Sequence, residues 1–179
     1  MMQSVKALIL RLLDEHRVMT IATNRPDGWP QATMVGYVNE GYLLYCFVTR
    51  DSQKYTNILR DPRVSIAIGS DSPNPMEIKG LSLGGLAREA IDQSEYEDIS
   101  KLRLKRYPEY PMLKQAVSDA GVSDRISPWP SAAKIALIRI EPEVISVLDY
   151  SRGFGHSDLV TFSDRDLDMH LRINRHLWN

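Results

Sequence analysis

The sequence predicts a mainly β fold with flanking helices, and three patterns carry that prediction. Residues 18–69 read as three strands, a short helix and a fourth strand, because their apolar residues run continuously or alternate with polar ones. Turn signals separate the runs at Arg25-Pro26-Asp27-Gly28 and Asn39-Glu40-Gly41, where Pro presets φ and Gly tolerates positive φ. A helix precedes them, since Val5, Leu8, Ile9, Leu12 and Leu13 within residues 4–16 form one apolar stripe.

The first strand, residues 18–24, is apolar and β-branched and forms a hairpin with the second. There Ala32, Met34, Gly36 and Val38 alternate with Thr33, Val35 and Tyr37. The third, residues 42–48, is apolar without a break and is expected to be buried on both faces. Ser52 then caps a helix with Tyr55, Ile58 and Leu59 at helical spacing, which Asp61-Pro62 stops. A strand end thus empties into a helix start, where unpaired N–H groups, with Arg50 and Lys54 adding positive charge, suit a phosphate. Val64, Ile66 and Ile68 alternate in the fourth strand.

Residues 76–91 continue extended, with Gly80, Gly84 and Gly85 marking a bend or a close approach. Ser94-Glu95-Tyr96-Glu97 reads as a capping box, opening a helix that ends near Tyr107-Pro108. Pro111 starts a second helical segment that Gly121 stops, and Ser127-Pro128-Trp129-Pro130 is irregular. Residues 134–140 and 144–148 are expected as two strands separated by Glu141-Pro142-Glu143, residues 159–162 as one more, and about 164–178 as a C-terminal helix. The loop at residues 149–156 combines two glycines, Tyr150, Phe154, Arg152 and His156.

A chain of 179 residues is the size of one domain, so residues 1–179 are expected to form a single unit. With 25% charged residues and a net charge of −1, nothing favours nucleic acid or an anionic membrane as partner. Lys6 and Arg11 interrupt the N-terminal apolar run, which suits neither a signal peptide nor a membrane span. The single cysteine, Cys46, allows no intramolecular disulfide, and a cytoplasmic location is expected. His16, His156, His170 and His176 show no metal-ligand spacing, and no nucleophile motif is present, so neither a metal nor a catalytic side chain is assigned.

The element order of residues 18–69, with Thr49-x-x-Ser52-x-Lys54 and a short helix ending in Asp61-Pro62-Arg63-Val64-Ser65-Ile66-Ala67-Ile68, resembles the FMN-binding split-barrel family, the relatives of pyridoxamine 5'-phosphate oxidase. The likeness covers residues 8–90, and 132–149 more loosely. It implies a six-stranded antiparallel split β-barrel, a homodimer, and an FMN in each of two grooves between the subunits. Ser52, Gln53 and Lys54 fall on phosphate-binding positions, and Phe47, Val48 and Thr49 on the strand end beneath the flavin. Thr33, Met34, Val35 and Gly36 would run along the isoalloxazine. Thr33 stands where the oxidase has a phosphate-binding arginine, Val38 where it has a substrate-binding lysine, and Gly80 near a flavin-contacting glutamine. Arg172-Ile173-Asn174-Arg175-His176 lacks the spacing of the oxidase's R-x-H.

The resemblance therefore implies an FMN-dependent oxidoreductase of unassigned small-molecule substrate, with a reduced nicotinamide as one candidate donor. The alternative is a non-enzymatic flavin-binding or haem-handling protein, since fold does not fix function. A true pyridoxamine 5'-phosphate oxidase ranks third. The helical insertion at about residues 92–127 either walls the flavin or packs outside, and the 149–156 loop touches either a dimer partner or the flavin and substrate.

Overall fold

The computed structural model describes residues 2–69, 71–110, 132–162 and 171–174. Its strands are β1 (Val18–Asn24), β2 (Pro30–Glu40), β3 (Leu43–Thr49), β4 (Arg63–Gly69), β5 (Lys79–Glu89), β6 (Ile135–Asp149), β7 (Ser157–Phe162) and β8 (Leu171–Asn174). The helices are α1 (Met2–Glu15), α2 (Gln53–Arg60) and α3 (Gln93–Arg106). All pairings are antiparallel, in the order β3-β2-β1-β4-β5-β6-β7-β8, and a further pairing of β3 with β6 closes the first six strands into a barrel. The expected six-stranded antiparallel barrel is therefore present.

The barrel is split because β6 changes partners along its length. Residues 135–140 pair with β3, residues 144–148 pair with β7, and β5 runs alongside both halves. The two strands expected at 134–140 and 144–148 are thus one strand. Pro142 does not end it, because the β5–β6 register shifts between Gly84 and Gly85 and the proline is absorbed in a bulge. Gly85 is required there: a Cβ would lie 3.0 Å from Pro142 Cα and closer still to the Glu141 carbonyl oxygen.

Inward residues of alternating parity fill the barrel, among them Met19, Ile21, Leu44, Cys46, Ile66, Leu83, Ile138 and Ile145. The α1 stripe adds Val5, Ile9, Leu12 and Leu13 to the same cluster. Fully burying each such aliphatic side chain contributes about 1.5–3 kcal/mol. β3 is buried on both faces as its unbroken apolar run predicts: Leu44, Cys46 and Val48 face the barrel, while Tyr45 packs outside with Ile99 and Tyr107. Burial pushes the Cys46 thiol up to about 12, which leaves it an inert structural group.

Two further expectations change. α3 is capped by Asp92, not Ser94: its carboxylate accepts from the Ser94 and Glu95 N–H groups at 2.7 and 3.1 Å. Residues 171–174, read as part of a C-terminal helix over 164–178, form β8 instead, with Leu171 opposite Phe162 and Asn174 opposite Leu159. The apolar residues at 171 and 173 carry strand parity as readily as helical spacing, and the open edge of β7 selects the strand. The rest of that helix, the 111–121 segment and the tract around Trp129 lie outside the described residues. No helix among those described is long and apolar enough to cross a membrane.

Candidate functional site

β2 and β3 pair only from Tyr37–Cys46 to Glu40–Leu43 and then part. The Tyr37 N–H donates to the Arg17 carbonyl at 3.1 Å, which fixes the parity of the β1–β2 ladder. Odd-numbered β2 residues bond β1, so Ala32 and Met34 turn both their N–H and C=O to an edge without a strand partner among the described residues. Met34, 75% exposed, marks that edge, and Phe47, Val48 and Thr49 continue β3 on the far side of the gap. The sequence-assigned residues 33–36 and 47–49 thus line one slot.

The inward residues beside the slot form a polar cluster with α2. Asn57, fully buried, donates to Thr23 Oγ1 at 3.0 Å and to Gln31 Oε1 at 3.3 Å, and Gln53 Nε2 donates to Asn57 Oδ1 at 2.9 Å. Thr33 is the next inward residue after Gln31, and its Oγ1 is buried without a hydrogen-bond partner among the described residues. A polar orphan in an otherwise satisfied cluster is what a ligand-accepting position looks like.

At the start of α2, Ser52 Oγ accepts from Tyr55 N at 3.3 Å and donates to the Thr49 carbonyl at 2.7 Å. Lys54 makes no hydrogen bond or ion pair among the described residues, so its charge is available. Arg50 is not: its guanidinium donates to both Glu89 carboxylate oxygens, at 3.0 and 2.5 Å, and to the Tyr55 hydroxyl at 2.9 Å. The Arg50 guanidinium holds the Glu89 carboxyl below the usual carboxylate range, although its burial opposes this. Sequence reasoning gave Arg50 to the phosphate site and missed Glu89, which claims it and whose position at the end of β5 gave no local signal. At this helix start Ser52 Oγ is already donating to the Thr49 carbonyl and Gln53 Nε2 to Asn57, so an FMN phosphate would be met by the remaining first-turn N–H groups and by Lys54.

Val48 faces the barrel core, and Phe47 faces outward under α3, where Arg103 lies 4.0 Å over its ring and Tyr96 meets it edge-on. One turn on, the Tyr107 hydroxyl donates to the Tyr37 carbonyl at 2.7 Å and sits 3.2 Å from where a Gly36 Cβ would be. The described part of the insertion thus closes over the point where β2 and β3 part. Val38 is buried beneath it, at 1% exposure. His156, at the other end of the molecule's chain of strands, lies with Nε2 3.3 Å from Asp158, which also accepts from Arg152 at 2.5 Å. Among the described residues no cluster of three metal-ligating side chains occurs.

A family model described as pyridoxamine 5'-phosphate oxidase matches residues 5–148. No curated protein matches in sequence. Among solved structures, a putative pyridoxamine 5'-phosphate oxidase from Listeria innocua is 23% identical, covering 81% of this chain and 98% of that one, with a TM-score of 0.58. An F420 reductase is 26% identical, covering 76% and 94% with a TM-score of 0.53. A heme binding protein from Mycobacterium smegmatis is 21% identical, covering 87% and 57% with a TM-score of 0.64.

Proposed function

This chain belongs to the pyridoxamine 5'-phosphate oxidase family, and on that premise we propose that it is an FMN-dependent oxidoreductase of a small-molecule substrate, with the flavin in a groove between two copies. The observation that carries the reading is the slot between β2 and β3. Among the described residues it combines an unpaired β2 edge, a Thr33 hydroxyl without a partner and a helix start whose Lys54 makes no ion pair.

The chain's own residues bind and orient. Lys54, Ser52 and Gln53 would hold the phosphate, the Ala32 and Met34 backbone groups and Thr33 Oγ1 would serve the polar edge of the ring, and Phe47, Val48 and Thr49 would support it. When bound, FMN supplies hydride acceptance and onward electron transfer, so no protein side chain need react. Val38, buried under α3, supports a substrate other than pyridoxamine 5'-phosphate.

The outward face of β1, β2, β4 and β5 supports the homodimer. Cross-strand neighbours there are Thr20, Ala22, Ala32, Ser65, Ala67 and Ser82, small and uncharged, and Met34 stands exposed beside them. This patch, bounded at the start of β4 by the exposed, Asp61-paired Arg63, carries neither charge nor bulk of its own and is suited to close contact with a second copy. A reducing, cytoplasmic setting completes the reading, in keeping with the buried, unpaired Cys46.

The test is the absorption spectrum of the purified protein with and without added FMN, with the extracted ligand identified by mass. Bands of a bound flavin and FMN in the extract are expected, followed by bleaching with a reduced nicotinamide. A Soret band without flavin absorbance would overturn the reading in favour of haem handling. Binding of a deazaflavin in place of FMN would keep the slot and change the cofactor.

A further inference from the structure

Among the described residues, two groups of buried polar side chains interrupt the aliphatic interior. At the junction of β6 and β7, Asp149 and Asp158 are each matched by a cation, Lys79 at 3.6 Å and Arg152 at 2.5 Å. The other group is uncharged. Thr23 and Asn57 join Gln31 and Gln53 through amide and hydroxyl hydrogen bonds, and Ile58, next to Asn57 on α2, packs in the aliphatic core. Apolar packing is thus at hand for holding α2, and buried amides, which cost desolvation, are kept beside it.

The amides form a line with one end at each half of the slot. Ser52 takes the N–H groups of Tyr55 and Thr56, at 3.3 and 3.2 Å, which leaves the backbone N–H groups of Gln53 and Lys54 as the first-turn donors for a phosphate. The side chain of that same Gln53 donates to Asn57 Oδ1 at 2.9 Å, and Asn57 Nδ2 donates on to Gln31 Oε1 at 3.3 Å. Gln31 precedes Thr33 on the inward face of β2, at the start of the edge that would meet the ring. Bonds in such a chain polarise and order one another, so fixing one end tightens the other.

We propose that Gln53, Asn57 and Gln31 couple the two halves of the slot: a phosphate group at the start of α2 raises the affinity for a flavin ring beside β2, and the ring raises the affinity for phosphate by the same factor. The three act as positioning residues, and they favour a phosphorylated flavin beyond what the charge of Lys54 supplies. The inference rests on the cofactor reading for the identity of the ring, but the relay from phosphate to Gln31 does not require flavin.

The experiment titrates the full chain with lumiflavin, the flavin ring without its ribityl chain, so that ring and phosphate do not touch. It is run with and without saturating inorganic phosphate at matched ionic strength. Phosphate should tighten lumiflavin at least fivefold. Gln31→Met and Gln53→Met, each at its own saturating phosphate, should bring that ratio below twofold. Thr23→Val removes a side branch and leaves the line intact, so it should lower stability and keep the ratio. A second measurement follows the Gln31 side-chain NH2 resonances by NMR, assigned by their loss in Gln31→Met, during titration with phosphate alone. They should shift in the unaltered protein and stay still in Gln53→Met. A ratio near one in the unaltered protein, a ratio that survives in Gln31→Met and Gln53→Met, or Gln31 resonances indifferent to phosphate overturns the proposal. Loss of the ratio in Thr23→Val also overturns it, because the coupling would then follow the stability of the cluster and not the line. Failure of lumiflavin to bind while the Gln31 resonances still follow phosphate overturns the cofactor reading and leaves the relay standing.

Discussion

Asn57 Nδ2 donates to Thr23 Oγ1 at 3.0 Å, and this bond ties α2 to the first strand. Asn57 is fully buried and uses its amide in both directions, so its loss strands Thr23 and Gln31 as well. Asn57→Ala should destabilise the protein by about 1–3 kcal/mol, the usual result of orphaning buried polar groups. Urea unfolding would measure it. The Thr23→Val, Asn57→Ala double variant should lose less than the sum of the singles, whereas strict additivity would mean the pair is not coupled.

Lys54 is the cation at the start of α2 that no carboxylate claims among the described residues. Lys54→Ala should weaken FMN by roughly tenfold or more, in line with loss of a charge-assisted contact, and should leave riboflavin, which lacks the phosphate, nearly unchanged. Fluorescence titration of the two ligands gives the ratio. Equal losses would remove the α2 start from the site.

Glu89 competes with any ligand for Arg50. Glu89→Gln should therefore release Arg50 and raise the preference for FMN over riboflavin, in the opposite direction to Lys54→Ala. Its pH signature follows from sign. The folded-state pKa of Glu89 is lowered from about 4.5, so its stabilisation is present above that value and fades as pH falls through the folded value. The acid limb of the stability curve below about pH 4.5 should be shallower in Glu89→Gln, and unchanged steepness would show that the pair contributes nothing.

Gly85 sits where β5 and β6 slip register opposite Pro142. Gly85→Ala drives a methyl into the Glu141 backbone, which cannot give way as a flexible side chain would, and should cost about 1–3 kcal/mol as overpacking does. Gly84→Ala meets only the Val144 side chain at 3.1 Å and should cost less. Thermal melts of both variants decide the order.

The barrel was legible because Val64, Ile66 and Ile68 alternate at strand period, residues 42–48 are apolar without a break, and Asn39-Glu40-Gly41 and Asp61-Pro62 punctuate the runs where the chain turns. Local signals failed where a distant residue decided the outcome. Pro142 reads as a break until Gly85 makes room for a bulge. Leu171 and Ile173 read as helix until β7 offers an edge. The same limit applies to the site. Residues 33–36 were assigned by the family resemblance and 52–54 by a strand end running into a helix start, whereas the pairing of Arg50 with Glu89 spans two strands and the stacking of Arg103 on Phe47 spans an insertion, so neither has a sequence period to reveal it.

Thr33 separates stability from binding at one atom. Its Oγ1 is buried with no partner among the described residues, so there the hydroxyl contributes desolvation cost and no bond. Thr33→Val keeps the shape and removes that cost, and should raise stability of the ligand-free protein by up to about 1 kcal/mol, where a hydroxyl with a protein partner would lower it on removal. If the flavin edge is what the hydroxyl meets, the same substitution should weaken FMN and riboflavin equally, because the contact lies at the ring and not at the phosphate. The two titrations and a urea melt form one test. A variant that is more stable yet binds both flavins as before would leave the slot between β2 and β3 intact but move the ring away from Thr33, toward Met34 and Gly36.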